Sequence, residues 1–274
     1  MAALTPALAR VADRLDAAFV GGRQVPRFGD GVPGFDVAGA YAVLDELHAR
    51  RVARGWRPVG RKIGFTNTTI WARYGVDRPM WSHVWDRTVA DAADGRADVP
   101  LDGLMEPRLE PEIVFGIARA LPAGDDPAAV LASVAWIAPG CEIVHSAFPA
   151  WKFSAAECTA AYGLHGRLVV GPRRAVDEGN RSRIAAALPG MAVTLRRGGA
   201  LVDEGVGANV LGSPVRALMF LRDVLAAQPW APPLAPGEIV TTGTLTDAQP
   251  VRPGETWQAT FDALGLPALT LAMR

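Results

Sequence analysis

The chain has 274 residues, and half of them are apolar, which is enough to bury a large core in one domain or two. Lysine plus arginine and aspartate plus glutamate both number 28, so no basic field favours a nucleic acid or an anionic membrane as partner. Two cysteines are too few for a disulfide scaffold. Charges interrupt the first twenty residues, and no apolar run reaches the ~18 residues of a membrane span. These features predict a cytoplasmic protein.

Helical patterns dominate the first ninety residues. Apolar residues recur at helical spacing near the start, at Leu8, Val11, Leu15 and Phe19. Asp36 is the predicted N-cap of a second helix that ends near Gly55. A short helix is predicted over residues 68–74, stopped by Gly75. Residues 1–90 are therefore predicted to form a mostly helical N-terminal region.

Strand patterns follow Pro100. Short apolar runs cover residues 113–118, 142–144, 167–170, 191–196, 200–204, 239–242, 256–261 and 268–272. Gly198-Gly199 lies between two of these runs and predicts a hairpin. Asp126-Pro127 and Ser213-Pro214 predict helix starts. Hairpins and isolated helices, without regular β-α alternation, predict an α+β fold with a mixed sheet over residues 91–274.

Three glutamates lie beside apolar runs that are typical of buried strands. Glu110 and Glu112 are two residues apart, so they share one face of a strand, and Glu142 belongs to a second strand. Buried carboxylates need neutralising, and oxygen ligands favour a hard divalent cation with positions left for water or substrate. Pro111 cannot donate to a ladder, which predicts a strand start or an edge here. The alternative is a solvated strand end paired with Arg108.

The sequence contains only two lysines, Lys62 and Lys152. Lys62 is flanked by glycines that allow close backbone approach, and Lys152 lies between Trp151 and Phe153. A partly desolvated lysine has a lowered pKa and can move protons, or it can hold a carboxylate as a point charge. The alternative is a pair of surface lysines whose stems cover apolar side chains.

The histidines are further candidates for proton transfer. His145 lies three residues after Glu142 and is expected on the opposite face of that strand. His165 is flanked by glycines and is predicted to lie in a flexible loop, where a proton-transfer group is useful. For each histidine, a structural or surface role is the favoured alternative. The tryptophan-rich residues 80–85 are typical of a pocket wall, a core or an oligomer interface.

Six short motifs, in the same order along most of the chain, resemble those of the 2-keto-4-pentenoate hydratases. They are GRKIGFT (residues 60–66), GVDRP (75–79), EPE (110–112), EIV (142–144), GANVLGSP (207–214) and TGT (242–244). These hydratases belong to the fumarylacetoacetate hydrolase superfamily, together with the 4-oxalocrotonate decarboxylases. The resemblance implies a mixed β-roll, a homo-oligomer, a divalent metal (Mg²⁺ or Mn²⁺) and a small 2-oxo or 2-hydroxydienoic acid substrate from aromatic ring cleavage.

The same resemblance implies roles for individual residues. Glu110, Glu112 and Glu142 match the metal ligands, Lys62 matches the lysine of a Lys-Ile/Val-Gly motif, and Lys152 resembles a Trp-Lys pair. Asp77, Thr242, Gly243 and Thr244 lie in motifs on the substrate side. His165 is added as a catalytic candidate from its position alone.

One departure from the family leaves the reaction open. Many relatives carry Asp-Asn where, with Thr159 aligned, this chain has Tyr162 and Gly163. The prediction is a metal-dependent hydratase that adds water to a 2-hydroxydienoate or 2-oxoenoate and gives a 4-hydroxy-2-oxo acid. The alternatives are a 2-oxo-3-enedioate decarboxylase, an acylpyruvate-type C–C hydrolase with His145 or His165 as base, and a catalytically silent 2-oxo-acid binder.

Overall fold

A computed structural model describes residues 3–68 and 71–274. Seven α-helices lie in this part of the chain: α1 Pro6–Gly21, α2 Val37–Ala53, α3 Trp71–Tyr74, α4 Pro127–Leu131, α5 Ala155–Ala160, α6 Arg181–Ala187 and α7 Pro214–Ala227. The strands are β1 Pro58–Gly64, β2 Met80–Trp85, β3 Val89–Asp91, β4 Arg96–Val99, β5 Arg108–Ile117, β6 Val134–Val144, β7 His165–Val170, β8 Arg174–Ala175, β9 Ala192–Arg197, β10 Ala200–Val206, β11 Ile239–Thr241, β12 Gln249–Pro250, β13 Thr256–Phe261 and β14 Leu269–Met273. Among the described helices, none has both the length and the hydropathy to cross a membrane.

The first two helices form where the sequence predicts them. The Thr5 hydroxyl accepts the N–H of Leu8 at the start of α1, and the Asp36 carboxylate accepts the N–H of Gly39 at the start of α2. Their apolar faces join the main core. The third predicted helix includes residues 69 and 70, which lie outside the described residues, while Trp71–Tyr74 is helical as α3.

A nine-stranded sheet carries most of the fold, in the order β2-β1-β11-β5-β6-β7-β3, with β12 beside β5 and β8 beside β6. The β1/β11 and β3/β7 pairs are parallel and the others are antiparallel, so the sheet is mixed as predicted. Two of its strands, β1 and β2, come from the region predicted to be mostly helical. The predicted boundary after residue 90 falls inside β3.

A five-stranded sheet, in the order β10-β9-β13-β14-β4, completes the architecture. The predicted β9/β10 hairpin forms, and Gly198 and Gly199 turn it with positive φ angles of 55° and 87°. Two mixed sheets with helices packed around them confirm the predicted α+β class.

Pro111 lies inside β5, a central strand, so the prediction of a strand start or an edge is wrong. On one side of β5, β11 pairs with residues 114–116 and β12 with residues 108–109, and the ladder is interrupted between them. There the carbonyl of Pro111 accepts the N–H of Leu245 at 2.9 Å. The N and C=O of a strand residue face the same side, so the missing N–H of proline falls where no strand partner lies.

Glu157 ties the N-terminal region to α5. Its buried carboxylate accepts the backbone N–H groups of Ser154 and Phe28, both at 2.7 Å, and pairs with Arg27 at 2.9 Å. Burial acts to raise the pKa of Glu157, but these hydrogen bonds outweigh it and hold that pKa below the ordinary value of 4.5.

We expect the Glu157→Gln variant to unfold more easily by roughly 1–3 kcal/mol at pH 7. A depressed folded-state pKa gives stability that is present above the unfolded pKa and lost as the pH falls below it. The difference in unfolding free energy between wild type and Glu157→Gln should therefore shrink as the pH drops below about 4.5. Urea unfolding at pH 7 and pH 3.5 measures it, with exposed Glu204→Gln as control. An equal deficit at both pH values would contradict the assigned ion pairing.

Candidate metal centre

The three glutamates meet because of the β5/β6 register. Glu110 is directly opposite Glu142, and Glu112 is two residues further along the same face of β5. One carboxylate oxygen from each lies within 4.8 Å of the others. Glu112 and Glu142 are fully buried, whereas Glu110 borders a cavity. The sheet thus gathers three acidic groups into one site.

Glu112 is held by the last residue of β11 and by the turn that follows this strand. The Thr241 hydroxyl and the Gly243 N–H, the latter at 2.8 Å, both donate to its Oε2 atom. Its Oε1 atom is buried and has no hydrogen-bond partner among the residues that the structure describes. One carboxylate oxygen is therefore fixed by the backbone and the other is left for a ligand.

Glu142 lies between two basic side chains. Its Oε1 atom is 2.6 Å from Nδ1 of His165, and its Oε2 atom is 3.1 Å from Nζ of Lys62, an ion pair without hydrogen-bond alignment. Burial acts to raise the pKa of Glu142, but the Lys62 charge and the His165 hydrogen bond outweigh it and lower that pKa to about 2. Glu142 is thus the member of the cluster that ionises most readily.

The Lys62 charge compensates the other two carboxylates only in part. Burial and the charge of Glu142 raise the pKa of Glu110 to about 7, and burial with both neighbouring carboxylates raises that of Glu112 well above its usual range. A cation placed among them would relieve this repulsion. Three converging carboxylates, one with a buried oxygen free of partners, fit a hard divalent ion such as Mg²⁺ or Mn²⁺.

Lys62 reaches this cluster from β1. Gly60 allows the approach, because a Cβ atom there would lie 2.0 Å from the carbonyl oxygen of Ile239 on β11. The Lys62 Nζ atom donates to the carbonyl of Gly163 at 2.9 Å. Burial acts to lower the pKa of Lys62, but the three glutamates outweigh it and raise that pKa above the ordinary value. Lys62 is therefore an ammonium, and the predicted lowered pKa is wrong in direction.

A cavity of about 330 Å³ opens beside Lys62 and Glu110. Its wall includes the polar chain segments around Thr66 and Thr244 and a group of larger side chains that comprises Phe65, Arg108, Trp151, Phe153 and Leu164. The Arg108 guanidinium lies 4.1 Å from the centre of the Trp151 ring. The volume suits a small organic acid, with the Glu110 carboxylate and the Lys62 ammonium at one part of its wall.

Comparison with known proteins assigns the family. Residues 85–271 match the model of the fumarylacetoacetate (FAA) hydrolase C-terminal domain. The chain belongs to the fumarylacetoacetate hydrolase family. A 4-oxalocrotonate decarboxylase of Pseudomonas sp is 31% identical over 94% of this chain and 95% of its own length. A 2-keto-4-pentenoate hydratase of Paraburkholderia xenovorans (strain LB400) is 31% identical over 93% of this chain and 91% of its own length.

Solved structures agree with this membership. The 4-oxalocrotonate decarboxylase from Pseudomonas putida G7, complexed with magnesium and adipate, superposes with a TM-score of 0.87 at 25% identity, covering 100% of this chain and 99% of its own. A fumarylpyruvate hydrolase from Pseudomonas aeruginosa, in complex with Mn²⁺ and pyruvate, reaches 0.58 at 16% identity over 79% of this chain and 89% of its own, which shows the fold alone. The relatives are enzymes by name, and this family member is an enzyme too.

His165 and His145 are both buried in this fumarylacetoacetate hydrolase fold. His165 is the first residue of β7, so the predicted flexible loop is wrong, and its ring lies against Glu142 rather than in the cavity wall. The Nδ1 atom of His145 accepts the N–H of Met105, and burial lowers its pKa to about 3. Neither histidine lines the cavity.

The remaining predicted residues are divided between the cavity and the surface. Gly243 and Thr244 line the cavity, whereas the Thr242 hydroxyl donates to the backbone of β5 at Ile113. Lys152 is exposed and does not line the cavity. Asp77 is exposed and pairs with Arg78 at 2.9 Å beside a separate groove.

Tyr162 and Gly163, the two residues that depart from the family motif, have different contacts. The Tyr162 hydroxyl donates to the Leu47 carbonyl on α2, and its ring lies under the Arg51 guanidinium, away from the cavity wall. Gly163 instead contributes the carbonyl that holds Lys62. The tryptophans of β2 are buried in the core, which favours the core reading of that stretch.

The contacts of Glu112 with Thr241 and Gly243 are not among the predictions from the sequence, which expect Gly243 on the substrate side and give Thr241 no role. Thr241 and the Gly243 N–H reach it because the chain leaves β11 at the interruption opposite Pro111. The available signal was the threonine-rich run with a glycine directly after the apolar residues 239–240.

Gly243→Ala should damage the site strongly. Gly243 has a φ of 98°, and a Cβ atom there would lie 1.9 Å from Oγ1 of Thr66. The backbone must move, which takes the Gly243 N–H away from Glu112. We expect Mn²⁺ affinity and kcat/KM to fall by about tenfold or more. Gly254→Ala, at a turn with a similar φ of 87° and open space, is the matched control for backbone strain. Equal effects of both variants would contradict the assigned contact.

Proposed function

We propose that this enzyme is a divalent-metal-dependent hydro-lyase that adds water to a 2-hydroxydienoate or its 2-oxoenoate tautomer and gives a 4-hydroxy-2-oxo acid. The observation that carries the proposal is the convergence of Glu110, Glu112 and Glu142 beside a cavity that Lys62 also lines. The hydratase among the curated relatives supports the choice of reaction.

The three glutamates are the residues that would hold the metal, since they are the group of possible ligands found in the described chain. A bound divalent cation supplies Lewis-acid stabilisation of the negative charge that develops on the 2-oxygen of such a substrate. The magnesium, calcium and manganese bound by solved relatives support this cofactor.

Lys62 supplies the proton chemistry in this proposal. Its Nζ atom lies at the cavity wall and donates a hydrogen bond to the Gly163 carbonyl. This hydrogen bond fixes the position of the ammonium group. As an ammonium it can donate a proton to the carbon chain during the dienol-to-ketone change and recover one from the 2-hydroxyl group, and it can bind an anionic substrate oxygen. Trp151, Phe153 and Leu164 line the same cavity and would pack on the unsaturated chain and exclude bulk water.

Decarboxylation of a 2-oxo-3-enedioate is the second candidate function. Arg108 lines the cavity and would pair with the second carboxylate of such a substrate. The 4-oxalocrotonate decarboxylases among the relatives and solved structures support it as well. Acylpyruvate hydrolysis is not proposed, because the two histidines considered as its base lie outside the cavity wall.

An assay with two substrates tests the proposal. The purified chain is stripped of metal, then given 2-hydroxypenta-2,4-dienoate or 2-oxohex-3-enedioate with and without Mg²⁺ or Mn²⁺. The expected product is the water adduct of the first substrate, identified by mass and formed only with metal. Loss of CO₂ from the second substrate as the faster reaction would favour the decarboxylase. Metal-independent turnover, or binding of both acids without turnover, would contradict the proposed mechanism.

A further inference from the structure

His165 contacts the metal cluster from behind rather than the cavity. Its side chain is fully buried, and its Nδ1 atom lies 2.6 Å from Oε1 of Glu142. On the other side of the ring, Nε2 lies 2.7 Å from the hydroxyl of Thr88. The imidazole thus bridges one carboxylate of the cluster to the turn between β2 and β3.

The donors and acceptors around Thr88 limit the direction of hydrogen-bond donation through His165. The Thr88 hydroxyl oxygen accepts the N–H of Trp85 at 3.2 Å, and its single hydrogen can be donated either to the Trp85 carbonyl at 2.9 Å or to Nε2 of His165 at 2.7 Å. If it points to Nε2, a neutral ring carries its hydrogen on Nδ1 and donates it to Glu142. The chain of donors then runs from the Trp85 backbone through Thr88 and His165 to the carboxylate.

We propose that His165 is a positioning residue, which through its Nδ1–H fixes the orientation of Glu142 so that the carboxylate is presented to a divalent cation. This inference rests on the metal centre of the proposed function. It gives His165 a role different from the proton transfer suggested by the sequence. Thr88 is assigned a supporting role, because a hydroxyl that donates to Nε2 would keep the ring hydrogen on Nδ1.

The geometry explains why Glu142 needs such a support. Glu110 lies at the cavity, and Glu112 is held by Thr241 and Gly243. Among the described residues, the only other side chain within ion-pair distance of Glu142 is Lys62, on its Oε2 atom. Without His165, that ammonium alone sets the rotation of the carboxylate. Outer hydrogen bonds of this kind orient metal ligands, and their loss costs about 10–100-fold in metal affinity.

Mn²⁺ binding, followed by the electron paramagnetic resonance signal of the free ion, tests the inference without turnover. We expect His165→Leu to raise the Mn²⁺ dissociation constant by about 10–100-fold. His165→Asn places an amide N–H near the position of Nδ1–H and should stay within about threefold of wild type. Thr88→Val should weaken binding, and Thr88→Ser should restore it. His83→Leu, the same change at a buried histidine in the core of β2, is the matched control.

Each outcome separates this inference from the proposed function. Wild type that fails to bind Mn²⁺ would refute the metal centre itself. Wild-type affinity in His165→Leu, or equal weakening in the leucine and asparagine variants, would refute the positioning role alone. Saturating Mn²⁺ should restore most of the activity of His165→Leu, whereas a lasting loss of kcat with unchanged affinity would indicate proton transfer instead. Thr88→Val keeps the shape of threonine, so it tests the bridge if the histidine variants fold poorly.

Discussion

Glu112→Gln is expected to weaken metal binding and activity severely while making the metal-free protein more stable. The amide keeps the shape of the side chain but removes the negative charge that would face the cation. Loss of outer partners costs about 10–100-fold in metal affinity, so loss of a ligand charge should cost at least about a hundredfold. Calorimetric titration with Mn²⁺ and the dienoate assay measure both effects.

The stability gain follows from the repulsion within the cluster. Glu112 is fully buried, and burial together with Glu142 and Glu110 makes its charged form unfavourable in the folded protein. Each tenfold shift in an acid dissociation constant corresponds to about 1.4 kcal/mol, so removal of this repelled charge should stabilise the folded protein by at least about 1 kcal/mol. Metal-free Glu112→Gln should therefore melt at a higher temperature than metal-free wild type. Exposed Glu204→Gln should change neither property. A variant that keeps wild-type Mn²⁺ affinity would refute the assigned ligand.

Lys62→Met should give a different pattern, with lost catalysis and retained or tighter metal binding. The ammonium lies 3.1 Å from Glu142, so it competes with a cation for that carboxylate. Its removal leaves more negative charge in the cluster and should not weaken Mn²⁺ binding. The loss of a positioned proton donor should lower kcat by about 10²–10⁴-fold. Steady-state kinetics at saturating Mn²⁺ separate the two effects.

Lys152→Met is the matched control for this change. Lys152 is the second lysine of the chain, but it is exposed and does not line the cavity. We expect its kcat to stay close to that of wild type. Loss of activity in Lys152→Met with normal activity in Lys62→Met would reverse the assignment of the catalytic lysine.

The elements and the glutamate cluster follow from local patterns. The N-caps at Asp36 and Ser213 and the hairpin at Gly198-Gly199 depend on neighbouring residues, and each forms as predicted. The shared face of Glu110 and Glu112 follows from strand alternation, and their meeting with Glu142 needed only that β5 and β6 pair in register. The homo-oligomer is implied by the family resemblance alone, and it stays a prediction.

Other features depend on contacts between distant parts of the chain. Pro111 is tolerated in a central strand because β11 and β12 leave a gap opposite it, which no local pattern indicates. The glycines around His165 suggested a loop, yet the residue pairs into β7 against β6. The pKa of Lys62 is raised because three carboxylates meet there. Their combined charge cannot be predicted from the residues next to Lys62 in the sequence.

A manganese-soaked crystal tests the central claim most directly. Anomalous scattering from Mn²⁺ locates the ion without any assumption about its ligands. We expect one strong peak per chain, at roughly 2.0–2.3 Å from carboxylate oxygens of Glu110, Glu112 and Glu142. A peak elsewhere, or none at this cluster in crystals with saturating Mn²⁺, would contradict the assignment of these glutamates as the metal centre.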